Sequence, residues 1–137
     1  MPGFRLTPHT ADVGLVAWGE TREEAFAEAA RALVAVTYDP RTIVLREERA
    51  VAVEADRPDR LLVRFLSEVV YLIDADGFVP GRARVRIDGG RLEATLRGRV
   101  ADADRPRRRG PHVKAVTYHQ LEIDPGPPVR VRAVLDI

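Results

Sequence analysis

Two short stretches of the sequence, one near each end, contain side chains whose type and spacing could bind a cation. The first stretch, HTADVG, places His9 three residues before Asp12, immediately ahead of an apolar run. A histidine and an aspartate at this spacing can share a pocket, either bonded to each other or facing a common cation. The same residues suit a turn in which they satisfy backbone groups. Residue type and spacing leave both interpretations of Asp12 open.

The second stretch is the final strand-like run, which ends Leu135-Asp136-Ile137. Here the Asp136 carboxylate would lie one residue from the terminal carboxylate. If this end of the chain lay beside Asp12, the anions would repel one another unless a cation joined them. Oxygen ligands suit calcium or magnesium, and the lack of cysteine argues against a structural zinc site. The alternative is a frayed acidic terminus in water.

The elements that must position these residues follow from hydrophobic periodicity. Residues 13–19 are short and apolar and end at a glycine, which predicts a buried strand. Thr21 and Glu24 form a capping box ahead of an alanine-rich helix that should end near Asp39-Pro40. A second helix with an apolar stripe should begin near Pro58 and stop at Gly77.

The rest of the sequence predicts strands. A strand is expected at 51–56, a hairpin at 83–88 and 91–100 around Gly89-Gly90, and further strands at 115–123 and 129–137. The order, roughly β(β)αβαββββ, predicts an α+β fold: a mainly antiparallel sheet with two helices packed against it, in a single two-layer domain spanning residues 1–137. Between the two strand pairs, residues 101–111 should form a polar, mobile loop.

Composition narrows the classes of function. The 137 residues are 45% hydrophobic and 31% charged, as expected for a globular protein with a core. Because 22 basic residues nearly balance 21 acidic ones, no overall charge draws the chain to nucleic acid. No apolar segment is long enough to span a membrane, and no signal peptide is recognisable, so we expect a cytoplasmic protein without membrane contact. Lys114 is the only lysine.

Three segments together resemble the archease family. They are HTADVG at the first buried strand, KAVTYHQLEI at 114–123, and the final LDI. The segments EEAFAEAARAL and LLVRFLSEVVYLIDADGF match as well, so the resemblance covers nearly the whole chain in the right order. HTAD followed by a distant KAVTYHQ is far more specific than a single short motif.

The resemblance implies a function that is not enzymatic. Archeases are small metal-binding proteins that activate the GTP-dependent tRNA-splicing RNA ligase by promoting its guanylylation and repeated turnover, so RNA would be reached only through the ligase. The implied cation is calcium, with magnesium or manganese as alternatives, and its implied ligands are Asp12, Asp136 and Ile137. Further residues that match the motifs would shape the site or meet the ligase: His9, Lys114, Thr117, Tyr118 and His119. The loop DRPRRRGPHV departs from the acidic or lysine-bearing loop expected before KAVTYHQ.

The sequence is also compatible with two other functions. Asp12, Asp136 and His9 could form a stand-alone metal-dependent phosphoester hydrolase, although no convincing nucleophile or base accompanies them. The arginines of 105–109 could contact RNA phosphates, although a solvated loop is the simpler interpretation. Few aromatic residues (6%) are present to stack on bases.

Overall fold

The computed structural model describes residues 1–8, 11–100 and 106–137. Its strands are β1 (Gly3–Pro8), β2 (Asp12–Gly19), β3 (Glu47–Glu54), β4 (Phe78–Asp88), β5 (Arg91–Val100), β6 (Ala115–Asp124) and β7 (Val129–Asp136). Its helices are α1 (Arg22–Thr37) and α2 (Pro58–Asp76), and a short 3-10 turn covers Pro40–Thr42. Neither helix is long and apolar enough to cross a membrane, as judged on the described residues.

The strands form two antiparallel sheets, and both helices contact both of them. One sheet has the order β1-β2-β7-β6 and the other β3-β5-β4. Helix α1 packs against β2 and β4, and α2 packs against β6, β3 and β4. The predicted α+β class with two helices on antiparallel strands is confirmed. The division of the strands between two sheets was not anticipated, because periodicity shows which residues alternate but not which strands pair.

Helix α1 begins at the predicted cap. The Glu24 amide donates a hydrogen bond to the Thr21 hydroxyl oxygen (3.1 Å), and the Glu24 carboxylate accepts one from the Glu20 amide (2.8 Å). Beyond its first turn the helix is buried on almost every side. Such burial suits a helix that packs against two sheets, and it explains the many alanines, whose small side chains allow both sheets to approach closely.

Helix α2 begins and ends as the sequence predicts. Pro58 occupies its first turn, and Gly77 adopts the left-handed conformation (φ 64°) at the C-terminal cap. Strand β4 begins directly afterwards at Phe78, earlier than the predicted residue 83. Because Phe78, Val79 and Pro80 are all buried, the alternation that identifies a half-exposed strand starts only beyond them.

Hydrogen bonds anchor the described part of the predicted polar loop at 101–111, whereas residues 101–105 lie outside the described residues. The amides of Arg109 and Gly110 donate to the Thr37 carbonyl (2.8 and 3.2 Å), and the Thr37 hydroxyl donates to the Pro111 carbonyl (2.6 Å). These bonds occupy polar groups where α1 ends, which would otherwise lack partners. The side chains of Arg107, Arg108 and Arg109 are exposed, whereas Arg105 lies outside the described residues.

Candidate functional site

Sheet pairing brings the two ends of the sequence together. Strand β2 pairs antiparallel with β7, and Asp12 lies directly opposite Asp136. In such a pair the Cβ atoms are about 4.5–5.5 Å apart and project from the same face. The register therefore places Asp12 beside Asp136, as the ligand set implied by the resemblance requires.

Backbone hydrogen bonds hold the end of β7 on both sides. The Lys114 amide donates to the Asp136 carbonyl (2.8 Å). On the other side, the Ile137 amide donates a longer bond to the Ala11 carbonyl (3.4 Å). Because Ala11 immediately precedes Asp12, the three residues expected as metal ligands lie together where the two central strands of the four-stranded sheet end, a place that we call the sheet corner.

The donors at this corner are suited to a hard cation. Asp12 is half-buried and Asp136 is exposed, and neither forms an ion pair with any described residue. Like charges directly opposite each other destabilise a sheet, and a divalent cation between them would remove that repulsion. Within the described ranges no three His, Cys, Asp or Glu side chains converge, so further ligands would have to be backbone oxygens or water, which calcium accepts. His9 and Thr10 lie outside the described residues.

Asp12 and Asp136 project from the outer face of the four-stranded sheet, the face turned away from the helices. On the opposite, inner face, Leu15, Ala133 and Leu135 belong to the hydrophobic core. Because side chains alternate along a strand, the residues two and four positions from each aspartate also lie on the outer face. Four such positions are Gly14, Val16, Val134 and Arg132.

A pocket of about 610 Å³ opens on this outer face and includes Asp12 in its wall. Arg5 and Arg132 line the same pocket, together with Thr7 and Gly14. Asp136 lies opposite Asp12 but does not line the pocket. An aspartate and two arginines therefore line one cavity, and such a cavity can hold a ligand that carries both a cation and an anion.

An irregularity in β6 forms part of the pocket wall. Thr117 pairs with Val134 and Glu122 pairs with Arg132, so residues 118–121 lie opposite Ala133 alone. Bulges of this kind redirect side chains and are frequent next to functional sites. His119 and Gln120 both line the pocket, and Gln120 has a positive φ of 54°. The His119 amide donates to the Thr117 hydroxyl (3.2 Å), which helps to fix the bulge.

The remaining expected residues lie around this corner without joining the carboxylates directly. Lys114 is exposed and its side chain pairs with no acidic group of the described ranges. Thr117 is half-buried and Tyr118 is 57% exposed on the bulge. The third histidine, His112, contacts helix α2 instead, where its Nε2 lies 3.2 Å from the carboxylate of Asp74.

Sequence reasoning missed Arg5, Arg132, Gly14 and Gln120. Of the two arginines, only Arg132 had a signal in the sequence, because it is four residues before Asp136 in an alternating strand and therefore shares its face. Their importance depends on the pairing of β1, β2 and β7, which the sequence pattern does not specify. Gln120 could not be found in this way, since the bulge interrupts the alternation.

Comparison with known proteins identifies the family. A model of the Archease protein family (MTH1598/TM1083) matches residues 4–137. A protein archease of Pyrobaculum neutrophilum is 40% identical over 124 residues, which cover 88% of this chain and 84% of that protein. One of Thermococcus gammatolerans is 42% identical over 120 residues, which cover 85% and 84%. The chain belongs to the archease family.

Solved archease structures share this fold. The solution structure of Methanobacterium thermoautotrophicum protein 1598 superposes with a TM-score of 0.83 at 33% identity, covering 98% of this chain and 99% of that one. The crystal structure of a Thermotoga maritima archease, described as a possible chaperone, gives a TM-score of 0.62 at 25% identity over 96% and 94% of the two chains. The two helices and two antiparallel sheets are therefore the archease architecture.

Proposed function

We propose that this archease-family protein binds a divalent cation through Asp12, Asp136 and Ile137 and activates a GTP-dependent RNA ligase by promoting its guanylylation. The observation that supports the proposal most strongly is the direct pairing of Asp12 with Asp136 across β2 and β7. The ligase and tRNA processing as the setting come from the resemblance to archeases, and the cytoplasm as the location comes from the sequence features described above. RNA would be acted on only by the ligase.

The donor chemistry favours calcium, with magnesium and manganese as alternatives. Asp12 and Asp136 would hold the ion with their carboxylates, and an Ile137 oxygen would add a neutral or anionic ligand. A bound divalent ion supplies positive charge that can polarise a phosphoryl oxygen. The protein's own residues would fix the position of that charge at an exposed sheet corner, where a second protein can reach it.

An accessory role fits this corner better than hydrolysis does. A hydrolytic centre needs a nucleophile or general base held by a further group. Among the described residues, which do not include His9, no histidine or third carboxylate joins Asp12 and Asp136. The family name and the description of one relative as a possible chaperone also favour a non-catalytic protein.

The test is guanylylation of the RNA ligase from the same organism, with and without this protein, in calcium, magnesium or manganese. We expect Asp12→Asn and Asp136→Asn to fold normally but to lose the stimulation. Glu68→Gln is the matched control, since Glu68 is an exposed carboxylate on α2 without an ion pair in the described ranges. Full stimulation by both aspartate variants would refute the metal proposal. If the wild type does not stimulate the ligase either, the proposed partner is wrong.

A stand-alone hydrolase is tested in the same preparation without ligase. The purified protein is incubated with phosphoesters and each cation, and we expect no turnover above that of the Asp12→Asn variant. Robust turnover that Asp12→Asn abolishes would replace the accessory role with a hydrolytic one.

A further inference from the structure

We infer that Arg5 and Arg132 form a binding site for the phosphates of a nucleotide, next to the Asp12–Asp136 pair. This inference deepens the proposed function and rests on it for the identity of the cation corner. The pocket would then hold a metal–polyphosphate group, with the cation at the carboxylates and the far phosphates at the arginines.

The two arginines lie in one row across three strands. Arg5 of β1 pairs with Val16 of β2, and Val16 pairs with Arg132 of β7. Since neighbouring strands are about 4.8 Å apart, the two arginine Cα atoms are separated by roughly 10 Å. Val16 lies between them and is only 7% exposed, consistent with long side chains extending over it. Two guanidinium groups can therefore approach one anion from opposite sides.

The guanidinium groups of this row have free hydrogen-bonding capacity. Among the described residues, neither Arg5 nor Arg132 forms a side-chain hydrogen bond or an ion pair. Glu122 pairs with Arg132 in the strand register, yet the two make no ion pair. Some arginines on other surfaces find carboxylates, as Arg91 does with Glu54 at 2.9 Å. An anion with several oxygens would satisfy donors that the described protein leaves open, and phosphate fits the planar guanidinium particularly well.

The distance between the two ends of the pocket selects the type of anion. Asp12 and Val16 are four residues apart on β2, a distance of about 13 Å along the strand. The row that contains Asp12 and Asp136 is therefore about 13 Å from the row that contains the two arginines. Extended arginine side chains shorten this gap but leave room for more than one phosphate. A diphosphate or triphosphate reaches from a cation at the carboxylates to the guanidinium groups, and nucleotides carry such a group.

Gly14 keeps the floor of the pocket open between the two rows. A Cβ atom at this position would meet Thr7 at 3.6 Å, an ordinary contact distance, so the backbone tolerates a side chain there. The space above Gly14 is therefore available to a ligand and is not required by packing. On the β6 side, His119 and Gln120 supply hydrogen-bond donors from the bulge. The positive φ of Gln120 is a backbone conformation that costs free energy in a residue other than glycine, and it persists in this wall of the pocket.

The first experiment measures binding of inorganic pyrophosphate and of GTP to the full chain by calorimetry, in calcium and without ligase. We expect Arg132→Gln and Arg5→Gln each to weaken binding by about 10- to 100-fold, the loss typical of a charge-assisted hydrogen bond. Gly14→Val should weaken it similarly by filling the floor. Arg84→Gln is the matched control, because Arg84 is exposed on β4 of the other sheet and has no ion pair among the described residues.

A second measurement separates this inference from the metal proposal. Terbium luminescence reports cation binding, and it should be lost in Asp12→Asn but retained in Arg132→Gln. The phosphate site is refuted if both arginine variants bind pyrophosphate and GTP as the wild type does, or if the wild type binds neither ligand. In either case, terbium binding still decides whether the metal site exists. Binding of a short 3′-phosphorylated RNA in place of both small ligands would also overturn the nucleotide assignment.

Discussion

Neutralising one carboxylate at the sheet corner should have opposite effects on stability with and without a cation. In wild-type protein freed of metal, Asp12 and Asp136 lie directly opposite each other, with Cβ atoms about 5 Å apart. Two unit charges at that distance repel by about 0.8 kcal/mol in water and about 3 kcal/mol at an effective dielectric constant of 20. Because Asp136 is exposed, the lower part of that range applies, about 1 kcal/mol.

The perturbation is Asp136→Asn, which preserves the shape of the side chain and removes its charge. In chelator, we expect the variant to be more stable than wild type by about 1 kcal/mol, equivalent to a melting temperature about 4 °C higher for a domain of this size. In calcium at about 100 times its dissociation constant, the wild type should gain about 2.7 kcal/mol and the variant much less. The order of stability should therefore reverse when calcium is added.

Urea unfolding followed by circular dichroism, in chelator and then in calcium, measures both differences. Glu68→Gln removes a carboxylate outside the corner and should respond to calcium as the wild type does. A variant that is less stable than wild type in chelator would show that the two carboxylates do not repel each other. An equal gain from calcium in wild type and Asp136→Asn would show that Asp136 is not a ligand.

Three further predictions concern the frame that holds the site. Hydrogen bonds from Arg41 lower the pKa of the buried Asp39 carboxyl from 3.8 to about 2. The ionised Asp39 should therefore stabilise the fold above about pH 4, and this stabilisation should disappear as pH falls towards about 2. In urea titrations, the difference in stability between wild type and Asp39→Asn should shrink over that interval. Thr21→Ala removes the cap of α1 and should cost about 1 kcal/mol, whereas Thr21→Ser should not. Phe65→Ala empties a fully buried core position on α2 and should lower the free energy of unfolding by about 3–5 kcal/mol without altering terbium binding.

Local rules predicted most of the elements but not how they assemble. The caps at Thr21 and Gly77 and the turn at Gly89 follow from side-chain and backbone preferences that act within a few residues, and all three are confirmed. The predicted start of β4 at residue 83 was wrong, because the first residues of the strand are all buried and do not alternate. The allocation of strands to two sheets depends on long-range pairing, for which a single sequence contains no local signal.

The candidate site was likewise predicted only in part from the sequence. Asp12 and Asp136 were identified as a pair from their chemistry and from the resemblance to archeases, and the register of β2 and β7 confirms that they meet. Arg5 became relevant only when β1 was seen to lie on the other side of β2. The outward direction of His119 and Gln120 results from a bulge that periodicity cannot detect.

The position of the whole site depends on the register of β7. Leu135, Ala133 and Val131 are fully buried in the core, and the outward residues Asp136 and Arg132 lie between or beside them. A shift of one residue would expose the three apolar side chains and bury the two charged ones. Burying a charge without a partner is far more costly than leaving it in water, so the hydrophobic core itself excludes the shifted register. The packing that stabilises the fold therefore also keeps the carboxylate pair and the arginine row on one exposed face.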